Sequence, residues 1–72
     1  MIIYEPLWKT MSDKKFSKYK LIYKHGISKS TLKRMQKGGF HITTRTMDDL
    51  CRILDCNVED IVKYVKDEQK EG

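Results

Sequence analysis

From residue 14 to residue 47 this 72-residue chain has no aspartate and no glutamate, although 35% of all its residues are charged. The same stretch holds ten Lys or Arg, a local charge of +10, whereas residues 48–72 sum to −4 and residues 1–13 to −1. Scattered lysines would mean only a solvated surface, but segregation on this scale gives one basic face and one neutral to acidic face. A basic face suits a polyanion.

Other scarcities narrow the functional classes. Cysteine occurs only as Cys51 and Cys56, five apart in a region that reads as helix and turn, where side chains at i and i+5 do not face each other. No disulfide is expected. With His25 and His41 these are the only soft metal ligands, and their spacing matches no structural zinc site, so no metal is expected. Gly26, Gly38 and Gly39 lack phosphate-loop spacing, and no nucleophile has a visible base beside it. Neither an enzyme nor a cofactor is expected. No apolar run approaches the roughly 20 residues that span a bilayer, and no signal peptide is visible, which implies no membrane partner and a cytoplasmic protein.

Seventy-two residues make one small domain near the lower limit of what a single apolar core holds together. Its organising stretch is residues 18–37, KYKLIYKHGISKSTLKRMQK. Leu21, Ile22 and His25 fall on one side of a 3.6-residue period, and Leu32 and Met35 repeat at i, i+3. Between these halves Gly26 can take positive φ at little steric cost, and Ser28 offers a hydroxyl to cap a new helix. The second helix leaves Lys29, Ser30, Lys33, Arg34 and Lys37 exposed, a strip of cations and hydroxyls.

One start signal repeats along the chain. Phe16-Ser17 precedes Leu21, Ile27-Ser28 precedes Leu32, Ile42-Thr43 precedes Met47, and Cys56-Asn57 precedes Ile61. Each combines a capping residue with an apolar residue before it and another at the fourth helical position, the pattern of a hydrophobic staple. Together with Pro6, which suits a first helical turn, these starts predict five helices near 6–13, 17–25, 28–37, 44–54 and 58–66. Trp8 is expected to pack against the helix pair. The tract 67–72 has no apolar anchor and reads as a flexible C-terminal tail.

The run Leu21, Gly26, Ile27, Ser28, Thr31, Leu32 and Met35, followed by ITTRTMDDLCRILDCNVEDIV, resembles the Cro/C1-type (XRE-like) helix-turn-helix family of bacterial and phage transcriptional regulators. Two positions depart from the family pattern. Ile22 stands where a small residue is common, which implies different packing between the paired helices, and Lys18 stands where glutamine commonly opens the first. The resemblance implies an all-α, compact five-helix bundle of the lambda-repressor-like DNA-binding type with a central helix-turn-helix, formed by residues 1–66. It further implies sequence-specific double-stranded DNA binding by a small transcriptional regulator, expected to be a repressor, with the second helix of the pair in the major groove.

The DNA-binding residues implied are Lys18, Ser28, Lys29, Ser30, Lys33, Arg34, Lys37, Gly39 and Thr43. Arg34 is the candidate for bidentate guanine reading, with Lys33 or Lys29 as a second reader. Lys18, Thr43 and the backbone around Gly39 are candidates for phosphate. A weak homodimer is expected, joined by a fifth-helix face with Ile61, Tyr64 and Val65 or by the Ile2-Ile3 arm. The rival reading is an antitoxin or accessory module of the same fold with a protein partner. RNA binding requires an aromatic platform, which Tyr19 and Tyr23 form only if both face solvent.

Overall fold

The computed structural model describes residues 1–38 and 40–66. Four α-helices follow one another: α1 (Glu5–Asp13), α2 (Lys18–Tyr23), α3 (Lys29–Lys37) and α4 (Thr44–Leu54). A 3₁₀ turn over Val58–Asp60 comes next, and two short strands, β1 (Ile2–Ile3) and β2 (Lys63–Tyr64), pair antiparallel with Ile2 opposite Tyr64 and Ile3 opposite Lys63.

Local chemistry accounts for the helix starts. The Ser17 hydroxyl accepts from the Lys20 N–H at 3.1 Å, Ser28 from Thr31 at 3.3 Å and Thr43 from Thr46 at 3.2 Å, so each satisfies an N–H that lacks an intrahelical partner. At the fourth start the Asp60 carboxylate accepts from the Asn57 N–H at 3.0 Å. Pro6 lies in the first turn of α1.

Leu7 and Met11 of α1, Leu21 of α2, Leu32 and Met35 of α3, and Leu50 and Leu54 of α4 meet in one core, joined by Tyr4, Ile27 and Ile61. Trp8 is half-buried and packs on this core from its edge. Tyr4 does more than fill space. Its hydroxyl donates to the Phe40 carbonyl at 2.5 Å and accepts from the Ile42 N–H at 3.4 Å, which ties the α3–α4 connection to the N-terminal segment.

The expected fifth helix over 58–66 does not form, so the fold is mostly helical with four helices rather than an all-α five-helix bundle. One 3₁₀ turn carries Ile61 into the core, where it is fully buried. The chain then extends and takes hydrogen-bond partners from residues 1–3 instead of from its own preceding turn, with the Val65 N–H donating to the Met1 carbonyl at 2.7 Å. Ile61, Val62 and Val65 have helical spacing, but β-branched residues serve a strand equally well once a partner strand is present. The same result corrects the two candidate dimer surfaces: the fifth-helix face does not exist, and Tyr64 and the Ile2-Ile3 arm are parts of a single ribbon.

Two further local expectations change. Helix α2 ends at Tyr23, and His25 lies exposed in the turn with its ring 5.6 Å from that of Phe16. The cysteines do face each other. Asp55 adopts φ 53° and ψ 60°, turning the chain so that the Cys56 N–H donates to the Cys51 carbonyl at 3.0 Å and both side chains line one groove. Both remain free, and burial pushes both thiol pKa values up, which keeps them protonated at neutral pH.

Candidate nucleic-acid interface

The reading helix is placed by the turn before it. Helix α2 closes with the Lys24 N–H donating to the Lys20 carbonyl, and the Ile27 N–H returns to the Leu21 carbonyl at 2.9 Å. Gly26 makes this possible with φ 73°, in the left-handed region that a side chain disfavours. Ile27 then buries and Ser28 caps α3.

Leu32 and Met35 fix which face of α3 points inward. Lys29, Ser30, Lys33, Arg34, Gln36 and Lys37 are all left exposed, and Thr31 is half-buried at the margin. Ser30, Lys33, Arg34 and Lys37 line one shallow concavity of about 280 Å³. Lys18 and Ile22 of α2 line a second with Lys29, Leu32, Lys33 and Gln36 of α3. Lys18 therefore joins the recognition strip in space, and Lys33 belongs to both concavities. Ile22, half-buried, lines the seam between the two helices at the position where the family pattern has a smaller residue.

Charge on this surface is unopposed. The described ion pairs formed by side chains, Lys9 with Asp13 at 3.1 Å and Arg52 with Asp49 at 2.7 Å, lie outside residues 14–47. Among the described residues none of Lys18, Lys29, Lys33, Arg34 and Lys37 forms an ion pair. Two of these cations rest on aromatic rings instead: the Lys18 Nζ is 5.9 Å from the Trp8 centroid, and the Arg34 guanidinium carbon is 5.5 Å from that of Phe40. Contacts of this kind orient a cation without neutralising it.

Not every residue expected at the site gathers there. Thr43 caps α4 and lines a different, open groove of about 550 Å³, together with Ile42, Thr44, Met47, Asp48, Cys51, Cys56, Asn57 and Val58. Gly39 lies outside the described residues. Ser28 is exposed at the start of α3 with its oxygen engaged by the Thr31 N–H, so its hydroxyl proton remains for a partner.

Two residues escaped the sequence reading. Gln36 is one helical turn beyond Lys33, on the side of α3 that faces Lys18, and a signal for it was available in the same periodicity that selected Lys29 and Lys33. Phe40 supports Arg34 from beyond the helix end, a contact that no periodicity encodes. Among the described residues no cluster of three or more His, Cys, Asp or Glu can hold a metal ion, and no helix is long and apolar enough to cross a membrane.

A family model described as the Cro/C1-type HTH DNA-binding domain matches residues 6–67. The form II crystal structure of transcriptional regulator VanUg is similar with a TM-score of 0.80 and 27% sequence identity, covering 92% of this chain and 87% of that one. No curated protein matches the chain significantly.

Proposed function

The chain belongs to the Cro/C1-type HTH DNA-binding family, and from that premise we propose that it is a repressor that reads duplex DNA with α3 and pairs with a second copy on its site. Membership and the likeness to a transcriptional regulator make it a DNA-binding regulator; the repressor role and the residue roles are our reading. The carrying observation is the outward face of α3, where six exposed polar side chains stand with no acid on the helix. Such a face offers donors to phosphates and base edges and nothing that repels them.

Lys18, Lys29 and Lys37 neutralise phosphates and release counterions, which supplies affinity without sequence choice. Arg34 reads guanine O6 and N7, with Lys33 as the second reader, and Ser28 and Ser30 bond bases or phosphates. Gln36 suits adenine N6 and N7 by the same geometry. Thr43 fixes the docking of α4 on the backbone. Binding without catalysis and without a cofactor is the whole activity in this reading, and its place is the cytoplasm, where a bacterial or phage operator is found.

One helix reads too few base pairs to find a single site among a genome's competitors, and two-fold pairing on half-sites about 34 Å apart is the usual remedy. The β1–β2 ribbon is the proposed meeting surface. It carries Tyr64 and Val65 exposed, beside the half-buried Ile2 and Ile3, on residues outside the acid-free segment 14–47 of the sequence. Selection of bound duplexes from a random pool tests the proposal: enrichment of a two-fold symmetric motif is expected, and a pool that stays random after repeated rounds refutes sequence-specific reading.

A second reading, an accessory or antitoxin-like module, is favoured by the apolar groove between α4 and the 3₁₀ turn, with Val58 and Met47 on its walls. Val58→Asp tests this reading, because Val58 is exposed and outside the proposed duplex contacts, so duplex binding survives the change if the repressor reading holds.

A further inference from the structure

Tyr19 and Tyr23 are 68% and 66% exposed, yet their rings lie together with centroids 4.7 Å apart and planes tilted by 42°. Both are exposed on α2, one turn apart. We propose that this pair is a stacking platform for the unpaired bases of single-stranded DNA, a second nucleic-acid site beside the duplex-reading face.

Three observations favour that occupant. First, the rings are open. The described cation–π contacts put Lys18 over Trp8, Lys20 over Phe16 and Arg34 over Phe40, so no described cation covers either tyrosine. Second, the surroundings match a phosphate backbone: Lys18, Lys20 and Lys24 are sequence neighbours of the pair at α2, all exposed, and the segment from 14 to 47 contains no acid to repel it. An apolar or acidic protein surface is less well served, because a stacked pair rimmed by lysines offers little continuous apolar area. Third, the platform adjoins the duplex site. On α2 the Tyr19–Tyr23 row is next to the row of Lys18 and Ile22, which lines the concavity shared with α3.

Stacking on aromatic side chains tolerates any base, since every base has a π face, so the platform is expected to show little sequence preference and strong salt dependence. Each outer ring face accommodates one base, and the flanking lysines set the path of the strand.

The test uses the full chain and labelled oligo(dT), read by fluorescence anisotropy, with a duplex selected for binding in a parallel arm. Tyr19→Ala with Tyr23→Ala is expected to weaken oligo(dT) binding by about tenfold or more while leaving duplex binding within about threefold. Tyr19→Phe with Tyr23→Phe keeps the ring faces and is expected to restore oligo(dT) binding, which excludes a folding defect as the cause. The Lys29→Gln, Lys33→Gln, Lys37→Gln variant is expected to weaken duplex binding and keep dependence on the tyrosines for oligo(dT). Failure of duplex recognition alone leaves the platform standing. Oligo(dT) binding that is absent, or indifferent to the alanine changes, overturns it. Equal losses on both DNAs make the tyrosines part of the duplex interface and also overturn it, and tighter binding of oligo(U) than of oligo(dT) overturns the assignment to DNA.

Discussion

The guanidinium of Arg34 lies over the ring of Phe40, 5.5 Å from its centroid, and the carbonyl of that same Phe40 is held by the hydroxyl of Tyr4. A residue at the foot of α1 thus sets the seat on which the proposed base reader rests. Arginine freed of such a support samples more rotamers and loses more entropy on meeting a base.

Arg34→Ala is expected to cost about 1 to 3 kcal/mol on the selected site and much less on random duplex, because it removes base readout along with only one of many charges. Competition binding on the two DNAs measures the difference. Equal losses would make Arg34 a phosphate ligand.

Tyr4→Phe keeps the buried ring and removes the oxygen that serves Phe40 and Ile42. A loss of about 1 to 2 kcal/mol in stability is expected, since a carbonyl and an N–H in a part-buried setting lose their partner. Chemical denaturation reads this directly. Weaker discrimination between selected and random duplex, at a temperature where the variant is folded, would show that the loop also positions Arg34.

Replacing Lys29, Lys33 and Lys37 by Gln is expected to flatten the salt dependence of duplex binding, by roughly 0.9 in the log–log slope for each phosphate that is no longer neutralised. An unchanged slope would move the duplex off α3.

Gly26→Ala meets no steric neighbour, so its whole effect is backbone strain at φ 73°. A destabilisation of about 1 to 2 kcal/mol is expected, and Gly26→Asn should cost less, because asparagine tolerates the left-handed region better. A thermal melt that ranks the two the other way would contradict the strain account.

Helices α1, α3 and α4 and the capped starts at Ser17, Ser28 and Thr43 were legible because their signals are local: a capping oxygen three residues from its N–H, an apolar row at helical spacing, Gly26 where the chain turns. The acid-free strip on α3 was legible for the same reason. Pairing of Ile2–Ile3 with Lys63–Tyr64 was not, since nothing in either dipeptide names a partner at the opposite end of the sequence. Nothing around Tyr4 in the sequence marks Phe40 and Ile42, more than thirty residues away, as the partners of its hydroxyl. The approach of Cys51 and Cys56 turned on one left-handed residue, Asp55, a conformation that composition does not announce.

For the dimer, sedimentation with a palindromic duplex decides. Two subunits per duplex at saturation are expected, falling to one when Tyr64 and Val65 are changed to Glu at protein concentrations where the free chain is monomeric. Two subunits surviving that change would move the interface away from the ribbon.

That ribbon also bears on how the chain reaches its native state. Its strands are separated by nearly the whole described sequence and hold only a few backbone hydrogen bonds, so closing it early would cost more loop entropy than it returns. The helices, whose contacts are local, are expected to assemble first, with the ribbon fastening over them afterwards. In reverse it is expected to be the first element to open. Amide exchange at Val65, whose N–H reaches the Met1 carbonyl, is expected to be faster than at Leu50 or Leu54 and to proceed through a partial opening that leaves α2, α3 and the duplex-reading face intact.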